Sequence, residues 1–216
     1  MNPVPLFLII VTLPLLVGGC GEKDVTSLKY EIKGDSITIT GCDKKVSGAF
    51  AIPATIEGKV VTNIGHGAFK FCSSLTRITI PDSVTSIGVG AFSDCSNLRS
   101  ITIGDSVTSI DGFAFARCSN LKIIMIPDSV TSIGRDAFIR CTSLTSIIIA
   151  EGVTDIGSRA FNRCASLTAV TLLGDAPKVG SGALEGSPST IYRKPETKGW
   201  DDTWAGRPVK LISEKP

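Results

Sequence analysis

Apolar side chains recur along this chain at a fixed interval. LTRITIPDSVTSIGVGAFSDCSN from Leu75 is followed by LRSITIGDSVTSIDGFAFARCSN from Leu98, LKIIMIPDSVTSIGRDAFIRCTS from Leu121 and LTSIIIAEGVTDIGSRAFNRCAS from Leu144, each 23 residues long. Such a period marks units that cannot bury their apolar side alone and stack on copies of themselves, so the pattern predicts a solenoid. Leu75, Ile78, Ile80, Val84, Ile87, Ala91, Phe92 and Cys95 are the inward positions of the first unit. Arg77 to Ile80 alternates inward and outward and predicts a short strand, paired in parallel with its equivalent on the next coil. Pro81-Asp82-Ser83 carries turn chemistry, Val84 to Ile87 alternates again as a second strand, and Gly88 ends it. Ala91, Phe92 and Cys95 then fit one or two helical turns. Phe69, Phe92, Phe115, Phe138 and Phe161 hold one repeat position and predict a buried aromatic stack.

The pattern loosens at both ends. Tyr30, Ile32, Ile37 and Ile39 alternate around Lys33-Gly34-Asp35-Ser36, which predicts a β-hairpin over Leu28 to Thr40 that hides the apolar end of the stack. Ile52 to Ser74 is an atypical first repeat with an insertion from Ala54 to Lys59, and Leu167 to Ser189 keeps the length while Leu184 replaces Phe and Ser187 replaces Cys. Trp200 and Trp204, four residues apart on an expected helical turn, are read as a lid over the last coil. Leu6 to Val17 is an apolar run too short to span a bilayer and reads as an export signal. The divisions expected are a signal segment 1–19, a tether 20–27, an N-terminal cap 28–51, the solenoid 52–189 and a C-terminal cap 190–216.

The unit L-x-x-I-x-I-P-x-S-V-T-S-I-G-x-x-A-F-x-x-C-x-x resembles the bacterial BspA-like leucine-rich repeat, over roughly Ile52 to Ser189. The resemblance implies an α/β leucine-rich-repeat solenoid, mostly short parallel strands with one short helical turn per repeat, on an exported or surface protein that binds other proteins; members have been linked to adhesion to host matrix proteins. Val17-Gly18-Gly19-Cys20 resembles the lipobox of bacterial lipoproteins, which implies acylation of Cys20 and a lipid anchor at the outer membrane or cell surface. Met1 to Pro5 lacks the Lys or Arg usual in an export signal, so an ordinary secretory signal and a non-exported chain stand as alternatives.

Composition narrows the chemistry. A hydrophobic content of 43% with 19% charged residues describes a globular chain. There is no basic tract or aromatic platform for nucleic acid. Five of the seven cysteines, Cys72, Cys95, Cys118, Cys141 and Cys164, share one inward repeat position with parallel side chains, and read as buried free thiols. One histidine, His66, and no converging ligand spacing argue against a metal site. No nucleophile stands beside His66, and Asp201 and Asp202 read as solvated, so no enzyme, no cofactor and a monomeric chain are expected.

What remains is surface. The outward positions of the first strand are Arg77 and Thr79, Ser100 and Thr102, Ile123 and Met125, Ser146 and Ile148, and Ala169 and Thr171. Ile123, Met125 and Ile148 form an apolar patch in that row; it reads either as β-branched residues that suit a sheet surface or as a partner site, and on the second reading this face is the expected site for a host or envelope protein. Arg117, Arg140 and Arg163, each preceding a cysteine, form either a solvated convex face or an alternative basic strip for an acidic partner or glycan. Stacked on neighbouring coils they repel unless Asp111, Asp136, Asp155 or solvent interleaves them. A structural spacer without a ligand, and a thiol enzyme using Cys42 or His66, are the rival readings.

Overall fold

The computed structural model describes residues 25–214. Its chain winds through about seven coils of a β-solenoid with nearly no helix. The second strands of the coils, such as Ser86–Ile87, Ser109–Ile110 and Ser132–Ile133, join one long parallel ladder that begins at the N-terminal hairpin. Their threonines extend it: the hydroxyl of Thr108 donates to the carbonyl of Thr85, and Thr131 to Thr108, at 3.1 and 3.2 Å. The hairpin pairs Leu28–Lys33 with Ser36–Cys42, and the second of these strands continues in parallel into Lys59–Ile64. Val25–Ser27 forms a short 3-10 turn whose Val25 packs on the core. The signal segment, Cys20 and the first residues of the tether lie outside the described residues.

The expected helical turn is replaced by tight turns. Ala91 N bonds Gly88 O, Ser93 N bonds Gly90 O and Cys95 N bonds Phe92 O, all three residues back, so no helical i to i−4 ladder develops. The remaining donors reach across coils, as Phe92 N does to Ala114 O at 2.7 Å and Phe115 N to Ala137 O at 2.8 Å. Satisfying each turn from its neighbour removes any need for a helix. The C-terminal cap differs for a similar reason: Trp204 lies in Thr203–Trp204, paired antiparallel with Arg207–Leu211, and its indole donates to Pro177 O at 3.1 Å. Trp200 meets it at 6.0 Å between rings and packs against the core, so Trp204 stands in a hairpin rather than on a helical turn. The insertion at Ala54 to Lys59 is also a hairpin, turning at Glu57 and Gly58 with φ of 52° and 73°.

The core is one continuous cluster. The five phenylalanines are at most 1% exposed and stack at 5.0 to 5.3 Å between centroids, with Phe50 tilted against the first. The cysteines do more than fill space. Cys95, Cys118, Cys141 and Cys164 each donate their thiol to the carbonyl of the phenylalanine 26 residues earlier, at 3.1 to 3.2 Å. Ser187 makes the same bond to Phe161 O at 2.7 Å, which explains how serine replaces cysteine in the last repeat. The glycine after the second strand is set by contact between coils: a Cβ on Gly157 would lie 2.5 Å from Arg135 N.

First strands do not form the unbroken sheet expected of them. Gly48–Ala51, Leu75–Thr79 and Ser100–Thr102 make one parallel sheet, and a second begins at Ile123–Ile126. At this coil a Cβ on Gly104 would lie 2.5 Å from Pro81 O. Ile101 and Ile103 rise to 8% and 7% exposure at that break, whereas Ile124 and Ile126 beyond it are at 1% and 0%.

Candidate functional site

Stacking fixes the inward positions, so any site lies on what the coils turn outward. The strand face carries Arg77 and Thr102 exposed, and Thr79, Ser100, Ser146, Ile148 and Ala169 half-buried. Ile123 and Met125 are 57% and 63% exposed, and Met125 is register partner of Ile148. Thr171 does not belong to an accessible row: it is 6% exposed and pairs in register with Tyr192, a bulkier side chain of the last coils. The apolar patch thus narrows to Ile123 and Met125, with Ile148 at its edge, beside the opening in the sheet.

The other face is built by the tight turns and holds a groove of about 650 Å³. Its cations are Lys70, Arg117, Arg140, Arg159 and Arg163, and its carboxylates are Asp94 and Glu185. Arg117, Arg140 and Arg163 have φ of 58°, 59° and 58°, the left-handed region that turns closing three residues back require before each cysteine. Phe71 and Asp94 hold that position in the first coils at 63° and 61°, and Gly186 in the last at 72°. Repetition of one backbone angle thus sets the arginines in file along a single face.

Some of these charges are already answered. Asp136, 0% exposed, accepts Arg159 Nε at 2.9 Å and Nη2 at 2.7 Å, and Arg135 Nε at 3.1 Å. That fork-to-fork pair on a buried carboxylate fixes the arginine plane. Arg117 reaches Asp94 at 3.4 Å, an exposed contact of little strength. Arg140 and Arg163 pair with no carboxylate among the described residues. Of the acids expected to interleave the file, Asp136 serves Arg159 and Arg135 instead, and Asp111 and Asp155 form no ion pair among the described residues; Asp94 is the one that meets the strip.

Apolar residues rim the same groove. Val89 and Phe113 line it at 42% and 43% exposure, and Phe71, 57% exposed, stands nearby with the Lys70 ammonium 5.0 Å from its ring. Phe113 has φ of 58° at a position that is Gly90 or Gly182 in other repeats. Sequence reasoning missed this pair because Phe71 and Phe113 lie beside the repeated core phenylalanines; the signal was an aromatic where other repeats place glycine or charge. His66 is exposed and lines the groove. Asp201 and Asp202 are exposed, and among the described residues no group of three metal-ligating side chains converges.

Residues 62–190 match, in six copies, the family described as BspA type leucine rich repeat region. The chain is similar to the crystal structure of the T. pallidum leucine rich repeat protein, with 31% identity, a TM-score of 0.71 and coverage of 78% of this chain and 90% of that one. It is also similar to a leucine-rich repeat protein from Bacteroides ovatus ATCC 8483, with 25% identity, a TM-score of 0.62 and coverage of 82% and 60%. A third, from Bacteroides capillosus ATCC 29799, has 32% identity, a TM-score of 0.50 and coverage of 59% and 96%. No curated protein matches the chain.

Proposed function

Because this chain belongs to the BspA-type leucine-rich repeat family, we propose that it is a non-enzymatic binding scaffold that holds an acidic segment of a protein partner in its turn-face groove. The observation that carries this reading is Phe113, a large aromatic that is 43% exposed and left-handed at the rim of an arginine-lined groove. The left-handed angle belongs to the repeat, since Asp136 and Arg159 hold the same position at 57° and 56°; what sets Phe113 apart is a large aromatic ring left in water, which forgoes the stabilisation of its burial. Such a cost is expected where a ligand covers the ring. Arg140 and Arg163 supply uncompensated donors that suit carboxylates. Selecting peptides from a random display library on the folded chain tests the reading: enrichment of Asp and Glu around an apolar anchor supports it, and a pool without acidic bias counts against it.

A second reading rests on Ile123 and Met125, the most exposed large apolar side chains of the strand face. Replacing both, Ile123→Ser with Met125→Ser, should leave the melting temperature nearly unchanged, since surface changes stay within about 0.5 kcal/mol of neutral. If this face binds, capture of a protein partner weakens at least about tenfold, roughly 1.4 kcal/mol. Unchanged capture leaves the groove as the binding face.

We further propose that the protein is held at the cell envelope through lipid on Cys20, from the resemblance of Val17-Gly18-Gly19-Cys20 to a lipobox. Metabolic labelling with a fatty-acid analogue should tag the protein, and Cys20→Ser should remove the label and release the chain from membranes. Membrane retention of the serine variant would defeat the proposal.

A further inference from the structure

The lining of the turn-face groove changes character from coil to coil. Val89 and Phe113 stand exposed on two consecutive coils, and Arg140 and Arg163 stand exposed on the two that follow. Arg117, on the Phe113 coil, already meets Asp94, and on the coil beyond Arg163 the arginine position is taken by Gly186. Among the described residues, the arginines of the file that pair with no carboxylate are therefore these two, one coil apart.

The step between coils is rigid. Arg140 N donates to Asn162 O at 2.9 Å and Arg163 N to Glu185 O at 2.8 Å, so the backbone that carries each arginine is tied to the next coil. Core rings on the same coils lie 5.0 to 5.3 Å apart, which measures the step. A ligand that meets both arginines and the apolar pair must run along the solenoid axis and present one side chain per step. An α-helix repeats its face every turn, at about 5.4 Å. An extended strand repeats its face at about 6.6 Å, and a polyproline helix at about 9 Å, which skips a coil. Over two coil steps the helix drifts by less than about 1 Å from the file and the strand by about 3 Å.

Resting on the binding of an acidic segment in this groove, we propose that the segment is an amphipathic α-helix laid along the solenoid axis, one turn to each coil. Two of its apolar residues, one turn apart, cover Val89 and Phe113, and carboxylates on the next two turns meet Arg140 and Arg163. In sequence that is apolar residues at i and i+4 with acids at i+7 and i+11, or the same order reversed. These four positions share one helix face, the pattern by which helices are read in grooves. Each carboxylate can take the planar fork of one guanidinium, and the exposed Phe113 ring gains cover.

Titration calorimetry of the full folded chain with synthetic peptides of about 18 residues, five helical turns, tests the proposal. One set carries two leucines and two glutamates at the helical spacing in each chain order; a second set of identical composition carries them at i, i+2, i+4 and i+6. The expected result is that a helically spaced peptide binds at least about tenfold tighter than the strand-spaced set and gains helical circular dichroism on binding. The same peptide should lose at least about tenfold in affinity for Arg140→Glu with Arg163→Glu. Equal or tighter binding of the strand-spaced set, or binding without a gain in helicity, would overturn the helix while the groove kept its acidic ligand. Affinity unchanged in the arginine variant would overturn the placement along this file. If neither set binds while acidic peptides selected from the display library do, the helix alone falls; if no acidic peptide binds, the groove reading falls and the helix with it.

Discussion

Truncating Phe115 to alanine is expected to cost about 3–5 kcal/mol of folding stability and to lower the melting temperature by about 10 °C. Phe115 stacks on Phe92 at 5.3 Å and on Phe138 at 5.2 Å, with ring planes within 4° and 17° of parallel. The cavity left would be walled by coils that cross-coil hydrogen bonds hold at fixed spacing, so it cannot collapse. Phe161→Ala should cost less, because beyond it Leu184 takes the place of a phenylalanine and the stack ends. Urea unfolding of the two variants checks this. A loss under about 1 kcal/mol at Phe115 would mean the rings are not packed as described.

The second large effect is alkaline. Burial pushes Cys95 and Cys164 up to about 12 and holds Cys118 and Cys141 well above the ordinary thiol range. An unfolded thiol loses its proton near about pH 8.5. Each ladder thiol therefore contributes stability that is fully present below that pH and is lost as pH rises toward its folded value. In that window each one removes about 1.4 kcal/mol per pH unit, so the four together remove about 5 kcal/mol per unit. A domain worth about 5–15 kcal/mol should then unfold between roughly pH 9.5 and 11.5. Cys141→Ser keeps the carbonyl bond, as Ser187 does, and should lessen the slope by about one thiol's share. Stability unchanged between pH 8 and 10 would show that these thiols are not held neutral by burial. At pH 7 the same four should resist alkylation until the chain is denatured.

Much of this fold was legible because one sentence is written over and over. The 23-residue interval, the L-x-x-I-x-I strand and the inward phenylalanines and cysteines needed only periodicity, and the structure buries those residues at the positions expected. The helical turn was misread since Ala91, Phe92 and Cys95 suit a helix equally well; what decides against it is Phe92 N reaching Ala114 O on the next coil, a partner no single repeat contains. Thr171 was misplaced for a like reason, as its cover comes from Tyr192, outside the regular repeats. The break between Ser100–Thr102 and Ile123–Ile126 falls between two repeats of the same length and pattern, and spacing alone does not encode it.

The site was less legible than the scaffold. The arginine file could be read by aligning the residue before each cysteine, but its place in a groove with Phe113 required knowing that the turns stack left-handed residues on one face.

The affinity of one selected acidic peptide tests most directly whether the turn-face groove binds an acidic segment. Measured by titration calorimetry on the folded chain and on Arg140→Glu with Arg163→Glu, binding should weaken at least about a hundredfold in the variant, roughly 2.7 kcal/mol. Both arginines are exposed and pair with no carboxylate among the described residues, so the variant's melting temperature should barely move. Equal affinity for both proteins, with both folded, would contradict binding in the groove.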